Sequence, residues 1–254
     1  MEKIYSEIID FMISSGKRIK QFAGKVDDIG VTKKFLTEED IRIERGFKEI
    51  IQKYDPGHRF FAEEENSEFF SADDVWVADP ISGTHNFIEG KPHYTIVISH
   101  LINHKAVFGA VYDPSVDELF TAELGKGAFK NGQPVRVSAG NTGKIILRGS
   151  MVWQKPEVIE RMDSYLSGCE IEYNKYSIAA NHCWIAEGRF DGLAEFTKDA
   201  FPEFAGGLII REAGGKFTNL DGRADILPED RIFIGGNDAS YEMLLPLVRT
   251  ATKL

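Results

Sequence analysis

Short β-rich runs crowd the middle of this chain, and they narrow the folds open to it. At positions 75–78, 95–101, 106–112 and 119–124, apolar and β-branched residues gather in stretches of strand length, separated by turn residues. Asn131-Gly132 then stands between Ala128-Phe129 and Val135-Arg136-Val137, a pair that suits a tight hairpin turn because both residues accept positive φ. These features predict an antiparallel sheet in the first half. Beyond position 144 the pattern changes. Strand-like runs at 144–147, 190–196 and 231–234 alternate with helical spacing over 177–187, 204–213 and 240–250. The chain is therefore expected to divide near 140–150, into an α+β half (1–145) and an α/β half (146–254) of one compact unit.

Two amphipathic helices precede the strands. Over 4–22, Ile4, Ile8, Met12 and Ile19 fall on one helical face, and Gly24 follows where a helix could stop. The second starts near Thr37, a capping residue followed by Glu38, Glu39 and Asp40, where carboxylates favour a helix N-terminus. Its stripe of Ile41, Ile43, Phe47, Ile50 and Ile51 should end before the turn tripeptide Asp55-Pro56-Gly57.

Composition excludes more than it selects. With 43% hydrophobic and 28% charged residues the chain is neither disordered nor fibrous. Its 40 acidic and 30 basic side chains leave a net charge of -10, which argues against a nucleic-acid surface. Small anions would need a metal ion or backbone amides to enter. No apolar run approaches the roughly 18 residues of a membrane span, and charges interrupt the first twenty or so positions, so neither membrane insertion nor a signal peptide is expected. Cys169 and Cys183 form no metal-like or redox pair, which fits a reducing compartment and a cytoplasmic location.

One segment concentrates chemistry. A strand delivers Asp79 into Asp79-Pro80-Ile81-Ser82-Gly83-Thr84, where an acid, a backbone fixed by proline and a Gly-Thr pair bring a carboxylate, a free carbonyl, exposed amides and a hydroxyl into one turn. Hard divalent cations favour those oxygens and phosphate favours those amides. Upstream lies Glu63-Glu64-Glu65, which in isolation reads as a solvated loop. His85 and His93 flank the segment. His100 and His104 stand at helical spacing, but in a stretch that reads as strand and turn, so the spacing does not imply a shared metal.

These residues resemble the inositol monophosphatase family, whose signatures run G-E-E, then D-P-I-D-G-T-x-N-F, then W-D-x-A-A-G ahead of a helix ending E-A-G-G. The counterparts are Ala62-Glu63-Glu64, then Asp79 through Ser82 to Phe87, then Phe201-Pro202-Glu203-Phe204-Ala205-Gly206 and Glu212-Ala213-Gly214-Gly215. The frame also holds through 125–132 and 188–191, so the likeness spans about 37–236. It implies a layered α-β-α-β-α sandwich of the inositol monophosphatase and fructose-1,6-bisphosphatase type, hydrolysis of a small phosphate monoester with Mg2+, and a homodimer. By the same likeness, Glu63, Asp79 and the Ile81 carbonyl hold one Mg2+. Thr84 with Asp40 positions the attacking water, and Gly83 and Thr84 offer amides to phosphate. Glu195 contacts the sugar-like part of the substrate, although a surface acid at a strand end is an equal reading. Lys33 and Lys34 could add positive charge near phosphate or be ordinary loop lysines.

The chain departs from the family at two positions. Ser82 and Pro202 stand where the aspartates of a second metal site belong, and the tryptophan beside the latter is Phe201. A serine hydroxyl is a weak Mg2+ ligand, and a proline side chain is none. If the missing ion stabilised the transition state by about 4 kcal/mol, hydrolysis slows about a thousandfold. Asp199 and Glu203 flank Pro202 as replacement ligands. Two readings follow from the sequence: a weakened monoesterase with one Mg2+, or an inactive member that binds a phosphorylated metabolite or regulates a partner.

Overall fold

The protein, described as a computed structural model, is defined over residues 2–30, 35–54, 56–57, 59–62, 74–140, 142–149, 156–173, 176–197 and 201–252. Helix α1 (Lys3–Ile19) buries Ile4, Ile8, Met12 and Ile19, and α2 (Glu38–Tyr54) buries Ile43, Phe47 and Ile51, as the apolar spacing requires. The two helices pack closely because Gly46 lacks a side chain. A Cβ there would lie 2.1 Å from the Phe11 ring.

Beneath them lies a seven-stranded sheet in chain order: β1 (Arg59–Ala62), β2 (Asp74–Ser82), β3 (Thr95–Ile102), β4 (Lys105–Asp113), β5 (Glu118–Glu123), β6 (Gly127–Lys130) and β7 (Gln133–Pro134). Every neighbour is antiparallel except the β1–β2 pair, which is parallel. The hairpin turn falls at Asn131 and Gly132, with φ of 48° and 78°, the left-handed pair that this dipeptide favours. Strand β2 is buried without a break from Val75 to Ser82 because both faces are covered. Trp76 and Ala78 face α1 and α2, whereas Val75 and Val77 face the opposite core.

A second sheet follows, with order β11-β12-β10-β8-β9. Its strands are β8 (Lys144–Gly149), β9 (Glu170–Tyr173), β10 (Gly192–Phe196), β11 (Lys216–Asn219) and β12 (Ile232–Gly236). Helices α5 (Ile178–Ala186) and α6 (Phe201–Glu212) fill the space between the sheets. Helices α4 (Pro156–Tyr165) and α7 (Asp238–Ala251) cover the outer face of the second sheet. The result is five layers, helix pair, sheet, helix pair, sheet, helix pair, in agreement with the α-β-α-β-α expectation. Close approach in the middle layer depends on Gly109 of β4, where a Cβ would sit 3.0 Å from Ala205 Cα of α6. Among the described residues no helix is long and apolar enough to cross a membrane.

Asp191 ties the second sheet to the crossing from the first. Its buried carboxylate accepts from Ser138 Oγ at 2.6 Å, and from the Thr142 amide and hydroxyl at 2.6 and 2.7 Å. Burial alone would raise the carboxyl pKa, but these hydrogen bonds hold it below the usual aspartate value.

Besides the short helix at Thr84–Ile88, four elements were not anticipated from the sequence pattern. Strand β1 is a four-residue edge, and β9 is an exposed edge whose alternation is brief. Strand β11 is equally short. Helix α4 buries Val158 and Met162 one turn apart, a stripe hidden among charged residues.

Candidate active site

The Asp79 segment takes its shape from proline and glycine. Strand β1 ends at Ala62, paired with Ala78, the residue before Asp79. Asp79 is still in register with Val97. The ladder then slips, and Ser82 pairs with Thr95. A bulge belongs there because Pro80 has no N–H to continue the ladder. Gly83 follows at φ 80° and ψ 36°, a left-handed conformation that turns the strand directly into α3 (Thr84–Ile88). Thr84 Oγ1 donates to the Ile81 carbonyl at 2.6 Å, so its lone pairs remain available to an incoming donor.

Two other elements close over this turn. Ser177, at the N-terminus of α5, lies so near that a Cβ on Gly83 would be 3.3 Å from its Cα. The Ser177 hydroxyl and that of Thr95 are 2.6 Å apart, both fully buried, and the Ser177 amide donates to the His93 carbonyl at 2.9 Å. No local pattern marks Thr95 or Ser177 in the sequence. They arrive from β3 and α5, about eighty positions apart, and only the register of Ser82 with Thr95 relates them.

Asp40 is fully buried in the first turn of α2. Its Oδ2 accepts from the Thr37 amide at 2.9 Å and the Thr37 hydroxyl at 2.5 Å, the backward reach of a capping box. The sequence motif thus fixes Asp40 relative to its own helix start, while Thr84 is fixed by Ile81. Asp79 is 4% exposed and the Ile81 carbonyl lies two residues on, so the bulge carries two hard oxygen donors. Glu63, the third expected donor, lies outside the described residues, as do Lys33, Lys34 and Asp199. Among the described residues, no three His, Cys, Asp or Glu side chains are grouped so as to hold a metal ion.

The two positions that the family likeness assigns to a second metal are poor in oxygen. Ser82 is 5% exposed and offers a hydroxyl. Pro202 stands in the first turn of α6, where a missing N–H costs nothing, and Phe201 packs its ring 4.9 Å from Phe61. Glu203 is completely buried in the same turn. The donor set at Asp79 and Ile81 suits a hard dication. That at Ser82 and Pro202 does not.

Glu195 sits inside the molecule. Its Oε1 is 2.6 Å from His182 Nε2, and the two side chains are 1% and 0% exposed. The pair is wedged between β10, α5 and α6, and Gly206 makes the space. A Cβ at position 206 would fall 1.9 Å from His182 Nδ1. His93 also has a carboxylate partner, Asp113, at 2.7 Å, with its ring against Tyr176 and Trp184. Burial and the Asp113 charge push neighbouring Tyr94 up to about 12, which keeps its hydroxyl protonated. His85 lies at the surface beside Glu89 at 3.3 Å. Burial drives the Cys183 thiol far above its ordinary range, so it is no nucleophile.

With this geometry in view, the comparisons with known proteins are specific. The sequence profile described as the inositol monophosphatase family matches residues 5–253. The chain is 34% identical over 206 residues to the "Nus factor SuhB" of Pasteurella multocida, covering 77% of each. It is 31% identical over 252 residues to the inositol-1-monophosphatase of Rhizobium meliloti, covering 90% of each. An IMPase structure from Thermotoga maritima superposes with a TM-score of 0.84 at 26% identity, over 100% of this chain and 99% of that one. The Asp79–Thr84 turn and the Glu212-Ala213-Gly214-Gly215 helix end therefore lie within a match that runs almost the whole length of the sequence. The chain belongs to the inositol monophosphatase family.

Proposed function

We propose that this chain hydrolyses a small phosphate monoester with the help of Mg2+, and does so slowly. The observation that carries the reading is the β2 bulge, which sets Asp79, the Ile81 carbonyl, the Gly83 and Thr84 amides and the Thr84 hydroxyl on one turn under the start of α5. The family is generally Mg2+-dependent. One ion would be held by Glu63, Asp79 and the Ile81 carbonyl, supplying positive charge and a water of lowered pKa. Gly83 and Thr84 present amides to the phosphate oxygens at the start of a helix, where such groups lack internal partners. Thr84 donates its hydroxyl hydrogen bond to the Ile81 carbonyl, so its oxygen can accept a hydrogen bond from the water and aim it, with Asp40 as the paired acid. As the water oxygen bonds to phosphorus, the ester P–O bond breaks and the leaving oxygen takes up a proton. Glu195, which the family likeness assigns to the substrate, would reach it only if its buried pair with His182 opened. The halves 1–145 and 146–254 enclose the site as one unit, which pairs with a second copy in the cytoplasm.

A second reading has its own support. Ser82 and Pro202 together remove two carboxylates, and relatives at 34% and 30% identity bear the name "Nus factor SuhB" rather than that of an enzyme. A chain that keeps the turn but barely turns over would serve as a binding or regulatory protein for a phosphorylated metabolite.

Phosphate release from a panel of monoesters, measured across Mg2+ concentrations, separates the two. The enzyme reading expects turnover by the natural chain that Glu63→Gln abolishes and that Ser82→Asp with Pro202→Asp raises by orders of magnitude. Silence from the natural chain with activity in the double variant supports the binding reading. Silence from both, with the fold intact, refutes the second-metal account.

A further inference from the structure

A second concavity lies at the far end of the same strands. The β3–β4 turn at Asn103 and His104, the side of α6 and the loop at 224–229 enclose two joined compartments of about 90 and 380 Å³, which share His104, Phe204 and Ile226. The smaller is lined by Lys105, Arg211 and Asp225. The larger is walled by Val75, Leu101, Leu227 and Pro228. It is distinct from the Asp79 turn. Val75 is four residues back along β2, about 13 Å, and Arg211 lies nine residues beyond Pro202 on α6, a similar length of helix.

Arg211 is the unusual group. Its side chain folds back over Gly207, and among the described residues its guanidinium makes one hydrogen bond, a long one of 3.5 Å from Nη1 to the Ala224 carbonyl. No carboxylate pairs with it among those residues. Burial pulls its pKa down, and the nearby charges of Asp225 and Glu212 only partly oppose that. A guanidinium has five N–H donors, and most of those on Arg211 face the cleft beside Lys105, where a carboxylate could take up two at once. Lys105 likewise has no ion-pair partner among the described residues. The Glu212 carboxylate is taken up by the Gly125 and Gly127 amides, so Lys105 and Arg211 face Asp225 alone within the cleft, which leaves room for one carboxylate. Glu229 at the other end disfavours a second anion there.

We propose that this cleft binds a small organic monocarboxylate, its carboxylate on Arg211 and Lys105 and its hydrocarbon body against Leu101, Ile226 and Pro228. The site is independent of the proposed hydrolysis, since none of its residues touches the Asp79 turn.

The test is a titration of the full chain with hexanoate, with acetate and hexan-1-ol as controls, followed by backbone amide chemical shifts. Saturable hexanoate binding is expected, with shifts centred on Ile226 and Leu227, and with both controls at least about tenfold weaker because each lacks one half of the recognition. Arg211→Met keeps the side-chain stem and should weaken hexanoate by about tenfold or more. Asp225→Asn, at an exposed position that leaves the fold alone, should tighten it. Equal binding of hexanoate and hexan-1-ol, absence of saturation, or unchanged affinity in Arg211→Met would overturn the proposal. If Arg211→Met fails to fold, an Asp225→Asn affinity no better than that of the natural chain overturns it instead.

Discussion

Replacing His182 by leucine isolates one carboxylate in the middle layer. His182 and Glu195 are both essentially inaccessible to solvent, and their 2.6 Å contact is the hydrogen bond that compensates Glu195 for leaving water. Breaking a buried pair by deleting one member strands the other, at about 3–5 kcal/mol. In a protein of this size each kcal/mol lowers Tm by roughly 2–4 °C, so His182→Leu should melt about 6–20 °C early. Deleting both members removes the stranded charge. His182→Leu with Glu195→Leu should therefore recover most of the loss, to within about 1–2 kcal/mol of the natural chain. Guanidinium unfolding of the four proteins, with m-values compared to keep the end states equivalent, gives the coupling directly. A single variant that loses less than about 1 kcal/mol, or a double variant no better than the single, would refute the idea that the pair compensates a buried charge.

Other expectations follow from the same packing. Gly206→Ala should destabilise the natural chain by about 1–3 kcal/mol, because its Cβ meets the His182 ring, and should cost less on a His182→Ala background, where only the 2.7 Å approach to the residual Cβ remains; strict additivity in thermal melts would contradict the contact. Asp191→Asn places an amide donor against the Thr142 and Lys144 amides and should cost about 2–3 kcal/mol. Since the folded carboxyl is held below its unfolded value, that stabilisation is present above about pH 4 and is lost as pH falls through the folded pKa, so the gap between the two proteins in melting temperature should close in acid. For Ser82→Asp with Pro202→Asp, Mg2+ at about a hundred times its Kd should add about 2.7 kcal/mol to stability, and equal Mg2+ shifts in natural and double-variant chains would deny a restored site.

What the sequence made legible was whatever repeats or punctuates. The stripe of α1, the apolar run Val75–Ala78 of β2 and the Asn131-Gly132 turn each state their own structure, because periodicity and turn chemistry act over a few residues. The layer order came through resemblance, carried by Asp79 to Thr84 and by the Glu212 helix end. Elements too short for a period stayed hidden, β1 and β11 among them, since four residues at a sheet margin owe their form to their neighbours. The partner of Glu195 was equally unreadable. Thirteen positions separate it from His182, and only the crossing of α5 over β10, with room made by Gly206, joins them.

Pro202 gives the fold an indifference to its own chemistry. The first turn of a helix accepts proline because its N–H has no partner, and accepts aspartate because a carboxylate there complements the helix dipole. Either residue leaves α6, its packing against Phe61 and the five layers where they are. A carboxylate at this position can therefore be withdrawn or returned by one substitution without any consequence that selection for folding would notice, so lineages with and without it should be found at the same stability.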